Sequence, residues 1–163
     1  MKTRWKIVIV VVILAATITF ASLFYFMVYS FSSGGPRIPA VATSKSPVTG
    51  GWQINILAIS SPVTWDDIEV QLKDGTNTIG WSIKTADLDG GFNITAPYAA
   101  KLLGTLSVTL TVTDNSGNGF VSSMDYLTLT ANPAFSSATT YSAVLIYEPV
   151  GGPMSADIAF TGV

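Results

Sequence analysis

The chain contains neither cysteine nor histidine. Without cysteine there is no disulfide framework and no thiolate metal site. Without histidine there is no Ser-His-Asp triad, no imidazole base and no conventional zinc or copper site. A cysteine-free domain outside the cell must be held by its core, with or without the help of a metal. Charge is scarce as well, at 11% of residues, and unevenly placed. Lys2, Arg4 and Lys6 stand at the extreme N-terminus, whereas from Lys45 onward four lysines face all ten acidic residues, a balance of −6. A mildly acidic region with no basic cluster repels phosphate backbones, so no nucleic-acid partner is expected. Paired aspartates can in principle hydrolyse glycosides, but no sugar-binding aromatic cluster accompanies them here. No enzyme is expected.

What the chain has instead is one long apolar run. Residues 7–31 (IVIVVVILAATITFASLFYFMVYSF) are 25 residues without a charge. At about 1.5 Å per residue a helix of this length spans roughly 37 Å, enough to cross a hydrocarbon core of about 30 Å with some tilt. The run is rich in β-branched residues, but in lipid the backbone must satisfy its own hydrogen bonds, which selects the helix. The basic flank at residues 1–6 predicts a cytoplasmic N-terminus and an extracellular C-terminal domain. Trp5, Tyr25 and Tyr29 suit the two interfacial belts. A cleaved secretory signal is the rival reading, because Ala40-Val41-Ala42 has the A-x-A form. The apolar run is, however, far longer than a signal peptide's hydrophobic region, and the A-x-A lies well beyond its end.

Residues 32–51 (SSGGPRIPAVATSKSPVTGG) read as a Pro/Gly/Ser-rich linker that lifts the next domain off the bilayer. Over residues 52–163 the pattern changes to period two. Ile54 and Ile56, then Ile68, Val70 and Leu72, then Leu106, Val108, Leu110 and Val112 alternate with polar or small residues. Alternation with Val, Ile, Thr and Tyr enrichment is the mark of half-buried strands. Turn signals separate the runs, among them Asp74-Gly75 and Gly90-Gly91. The expected fold class is mainly β: a single transmembrane-type α-helix followed by an antiparallel β-sandwich of immunoglobulin-like kind. The expected core is Trp52, Ile54, Ile56, Ile68, Val70, Leu72, Trp81, Leu106, Val108, Leu110, Leu127, Leu129, Val144, Ile146 and Phe160. A short helical turn is expected within residues 97–103.

One local motif carries chemistry. Residues 114–125 read DNSGNGFVSSMD, with Asp114 at position 1, Ser116 at 3, Asn118 at 5, Gly119 at 6, Phe120 at 7 through its carbonyl, Ser122 at 9 and Asp125 at 12. This is the oxygen spacing of a calcium loop, with Asp rather than Glu closing it. With two carboxylates, such a site would bind structural calcium weakly, on the order of 10⁻⁴–10⁻³ M. The same residues equally suit a polar loop between two strands. Asp66, Asp67 and Glu69 read as a solvated strand entry, and Asn93-Ile94-Thr95 fits the N-glycosylation pattern.

Residues 12–21 (VILAATITFA) resemble the N-terminal hydrophobic helix of archaeal type IV pilin-like proteins, the archaellin- and pilin-related surface proteins. Residues 63–70 (VTWDDIEV), 112–119 (VTDNSGNG) and 141–152 (YSAVLIYEPVGG) resemble segments of the domains that accompany such helices. The resemblance implies a helix able to pack in a filament core, a β-rich head outside it, and self-assembly through the helix. Arg4-Trp5-Lys6 precedes Ile7 directly, without the small residue of a processed leader, so an uncleaved surface protein is expected. Two functions follow as expectations. The first is a membrane-anchored structural or adhesive protein, located in the cell membrane or in an extracellular filament. The second is a displayed module that captures a ligand or partner protein through an exposed aromatic such as Trp65 or Tyr98.

Overall fold

The computed structural model describes residues 37–162. The segments expected at 1–6 and 7–31, and residues 32–36 of the linker, lie outside the described residues. Among the described residues no helix is long and apolar enough to cross a membrane.

Eleven strands and two single-turn 3₁₀ helices make up the described chain. The strands are β1 (Val41–Val48), β2 (Gly51–Ile59), β3 (Ile68–Lys73), β4 (Thr78–Ser82), β5 (Ile94–Pro97) and β6 (Lys101–Leu103). They continue with β7 (Leu106–Asp114), β8 (Tyr126–Asn132), β9 (Tyr141–Tyr147), β10 (Gly152–Pro153) and β11 (Ile158–Phe160). The 3₁₀ turns are Trp65–Asp67 and Thr85–Asp87. One sheet runs β1-β2-β8-β7-β5, with β6 also on β7; the other runs β10-β9-β3-β4, with β11 also on β9. Every pairing is antiparallel. The domain is therefore mainly β, with two antiparallel sheets in a sandwich-like arrangement.

The core follows the alternation. Ile54 and Ile56 of β2, Val108, Leu110 and Val112 of β7, and Leu127 and Leu129 of β8 are buried from one sheet. Ile68, Val70 and Leu72 of β3, Trp81 of β4 and Phe160 of β11 are buried from the other. Trp52 and Leu106 are partly buried against that core. Burying a side chain of this size contributes about 1.5–3 kcal/mol, so this set dominates the stability of the domain.

Three expectations need correction, and one strand carries an irregularity besides. The second half of the expected linker is strand β1, paired along its length with β2 from Val41↔Ile59 to Val48↔Gly51. Its Ser, Lys and Pro residues belong to a sheet edge, where Lys45 and Pro47 discourage pairing with another chain. In β9 the main core cluster takes Tyr141, Ala143 and Leu145; the expected Val144 is buried as well, outside that cluster, whereas the expected Ile146 is only partly buried. Every position from Ala143 to Ile146 is apolar, and period-two reasoning cannot choose between two apolar parities. Between Thr43 and Ala42 the register against β2 skips Leu57, a bulge that turns Leu57 and Ala58 outward. Finally, residues 97–103 hold the end of β5 and the whole of β6 rather than a helical turn.

Candidate functional site

The 114–125 motif joins β7 to β8 at the end of the sandwich where the chain enters. Val41 begins β1 opposite Ile59, and Ile68, Ile94 and Tyr126 begin their strands at the same end. Asp114 closes β7 and Asp125 immediately precedes β8; both are buried. A buried carboxylate requires donors, and this loop supplies them from its own backbone.

Asp114 Oδ1 accepts from the Gly117 N–H at 2.7 Å, and Oδ2 accepts from the Gly119 N–H at 3.0 Å. Ser116 Oγ, with its single proton, lies 2.7 Å from Asp114 Oδ1 and 2.9 Å from Asn118 Oδ1. Asn118 Oδ1 also accepts from the Phe120 N–H at 2.9 Å. At the other end of the loop, Asp125 Oδ1 accepts from the Asn115 N–H at 2.9 Å. Its Oδ2 accepts from the Ser122 N–H at 2.7 Å and the Ser122 hydroxyl at 2.9 Å. Burial pushes the Asp125 carboxyl above its ordinary value, while its donors from Asn115 and Ser122 pull the other way and Asp114 adds repulsion.

Of the six calcium-loop positions, the structure joins Asp114, Ser116 and Asn118 by hydrogen bonds, and Ser122 with Asp125. Phe120 is exposed and pairs with Thr64 across an isolated bridge. All four carboxylate oxygens already face N–H or O–H groups. A cation at these oxygens would sit against the positive ends of those same dipoles, so the donor set fits an internally capped loop better than a calcium cage. Among the described residues there is no group of three or more Asp, Glu, His and Cys placed to hold a metal.

The loop is fastened to the rest of this end by backbone bonds. The Trp65 N–H donates to the Gly119 carbonyl at 3.1 Å, and the Val121 N–H to the Val63 carbonyl at 2.9 Å. The Asn93 N–H donates to the Asn115 carbonyl at 3.2 Å, and the Met124 N–H to the Ile56 carbonyl at 3.0 Å. Gly117 has φ +60, and a Cβ there would lie 1.2 Å from the Gly91 carbonyl oxygen. Only glycine permits both that backbone and that approach.

The remaining candidates have structural partners. Trp65 is fully buried and Tyr98 is half-buried against the core, so neither provides the exposed aromatic expected for partner capture. The Tyr98 hydroxyl accepts from the Lys84 N–H at 3.1 Å, and burial pushes it up to about 12. Asp66 and Thr85 bond reciprocally: Thr85 N–H to Asp66 Oδ1 at 2.9 Å, and Asp66 N–H to Thr85 Oγ1 at 3.0 Å. Those bonds to Thr85 hold the exposed Asp66 carboxyl below its ordinary value. Asp67 accepts from Thr64 Oγ1 at 2.9 Å. Asn93 is exposed in a turn with φ +59, and Thr95 of its sequon has its hydroxyl 3.0 Å from that of Thr113.

Sequence reasoning missed Gly91, Thr85 and Val63 as supports of the loop. Their contribution is carried by backbone atoms and one hydroxyl, which leave no mark in residue type. No protein-family model matches the chain, and no curated protein matches it.

Proposed function

We propose that this chain is a non-enzymatic, membrane-anchored surface protein of pilin-like kind, with residues 7–31 as its helical anchor and an immunoglobulin-like β-sandwich displayed outside the cell. The lipid membrane is its first partner. Self-assembly through the same apolar helix is the second, because lipid and a filament interior favour the same surface.

The observation that carries the reading is the uncharged 25-residue run behind a basic flank, joined to a cysteine-free sandwich-like domain. The fold adds a specific support against the cleaved-signal alternative. Ala40-Val41-Ala42 leads into and begins β1. The Ala40 N–H donates to Ser60 Oγ at 2.8 Å, the Ser60 N–H to the Ala40 carbonyl at 2.9 Å, and the Val41 N–H to the Met154 carbonyl at 2.8 Å. Cleavage after Ala42 would remove the buried Val41 and all three bonds.

The ordered 114–125 loop belongs to this reading as a structural closure of the head, with calcium at most an added ligand and its own N–H groups the primary partners. N-terminal sequencing of the mature protein from the membrane fraction tests the proposal. A start at Met1 is expected. A start near Ile7 moves the helix into a processed filament, and a start at Thr43 with the protein in the medium contradicts anchoring.

A further inference from the structure

The apolar side chains that remain on the surface are not scattered. Among the described residues seven large ones are exposed, and six of them stand at the end where the chain enters. Ile38 and Val150 flank Gly152, where an added Cβ would lie 2.2 Å from Ile38 Cδ1 and 3.8 Å from Val150 Cγ2. Leu57 is turned out by the bulge in β2, beside Met124, whose N–H bonds to the Ile56 carbonyl. Phe92, 90% exposed, adjoins the Gly91–Gly117 approach, and Phe120 follows Gly119 on the facing loop. The seventh, Leu102, is in β6, whose partner is the far end of β7.

Leaving a phenylalanine 90% exposed and a methionine 75% exposed forgoes the free energy that burying such side chains would contribute. Exposed apolar groups gathered at one place mark a contact surface. The chain itself says which. The uncharged run ends at Phe31, seven residues before Ile38. At about 3.5 Å per residue, that connection reaches no further than roughly 25 Å. The end that bears the apolar residues is thus the end leashed close to whatever holds residues 7–31.

We infer that this end of the head is a lipid-contact face, resting Leu57, Phe92, Phe120 and Met124 in the interfacial zone of a zwitterionic bilayer. This rests on the anchor reading above. The charge selects the lipid. Asp66, Asp87, Asp89 and Glu148 are exposed at the same end, against Lys84 and Arg37, so anionic headgroups repel it.

The absence of native cysteine makes the test direct. The full chain is reconstituted in phosphatidylcholine vesicles as Met124→Cys, Leu57→Cys or Leu102→Cys, each carrying one environment-sensitive label. Nitroxide lipids labelled near the headgroup serve as quenchers. Quenching at 124 and 57 is expected to exceed that at 102 several-fold, and to fall when phosphatidylglycerol is added at low salt. Equal quenching at all three sites, in protein that floats with the vesicles, overturns the lipid face while leaving the anchor intact. Protein that does not float overturns the anchor reading and this inference with it. Energy transfer between copies at 124 without lipid quenching assigns the face to a second copy instead. A glycan found at Asn93 by intact mass of the native protein also overturns the inference, because the sugar would stand beside Phe92.

Discussion

The two ends of the sandwich are closed by opposite chemistry. At the far end Trp52, Phe135, Tyr141 and Phe160 pack together, with ring centroids 5.7 Å (Trp52–Phe160), 4.8 Å (Phe135–Tyr141), 5.4 Å (Phe135–Phe160) and 5.9 Å (Tyr141–Phe160) apart. At the entry end two buried carboxylates gather the N–H groups of a twelve-residue loop. Apolar closure works through area and shape, so its strength falls gradually as atoms are removed. Polar closure works through complete satisfaction, so it fails when one acceptor is lost. An end closed by directed bonds can also leave its apolar side chains facing out, as the entry end does.

The comparison predicts an order of effects. Phe160→Ala removes the ring shared by three aromatic contacts and is expected to cost about 3–5 kcal/mol, read by urea denaturation. Phe160→Leu should recover most of that loss. If it does not, the far end depends on ring geometry rather than on volume.

Asp114→Asn keeps the shape but turns an amide N–H toward one of the Gly117 and Gly119 donors. The expected cost is about 2–3 kcal/mol, with backbone amides 115–124 losing hydrogen-exchange protection ahead of β3. Asp125→Asn should cost less, about 1 kcal/mol, because burial already penalises the ionised form of that carboxyl. Equal costs for the two would remove the distinction between them.

Calcium sharpens the same point. An ion competing with N–H donors should raise the melting temperature of the protein little at millimolar concentration, and Asp114→Ala should not change that response. A large calcium-dependent rise that is lost in Asp114→Ala would falsify the internal-capping account.

The smallest effect concerns acid. Asp74 accepts from the N–H groups of Thr76 at 3.0 Å and Asn77 at 2.6 Å in the β3–β4 turn, and Asn77 above all holds its carboxyl below the ordinary value. A lowered folded-state value means stability that is present above the unfolded value of about 3.9 and lost as pH falls through the folded one. Asp66 has the same sign. Asp125, raised, has the opposite sign: protonating it as pH falls through its folded value relieves a cost. Asp74→Asn should therefore flatten the acid limb of a melting curve below about pH 4, and Asp125→Asn should steepen it.

These contrasts also explain what the sequence made legible. β2, β3, β7 and β8 alternate cleanly, and their core faces could be read directly. β9 could not be oriented, because its residues from Ala143 to Ile146 are apolar on both faces. β1 was hidden by Ser, Lys and Pro, which protect an edge while resembling a spacer. The loop was visible as a pattern of oxygens, but spacing alone does not say whether those oxygens face a cation or the backbone. Trp65 sits among turn residues, and only the Gly119 carbonyl and the surrounding core place it inside. Its indole nitrogen is buried without a partner, so burial there rests on its apolar area alone.

The central claim is that this sandwich is held outside the cell by its own N-terminal run. Leu102→Cys, exposed at the far end in a chain with no other cysteine, tests it in one experiment. A membrane-impermeant thiol reagent is applied to intact cells, and the labelled chain is followed through alkaline extraction of the envelope. The account predicts labelling before lysis and retention in the extracted membrane pellet. Labelling only after lysis, or a labelled chain recovered in the medium, would contradict it.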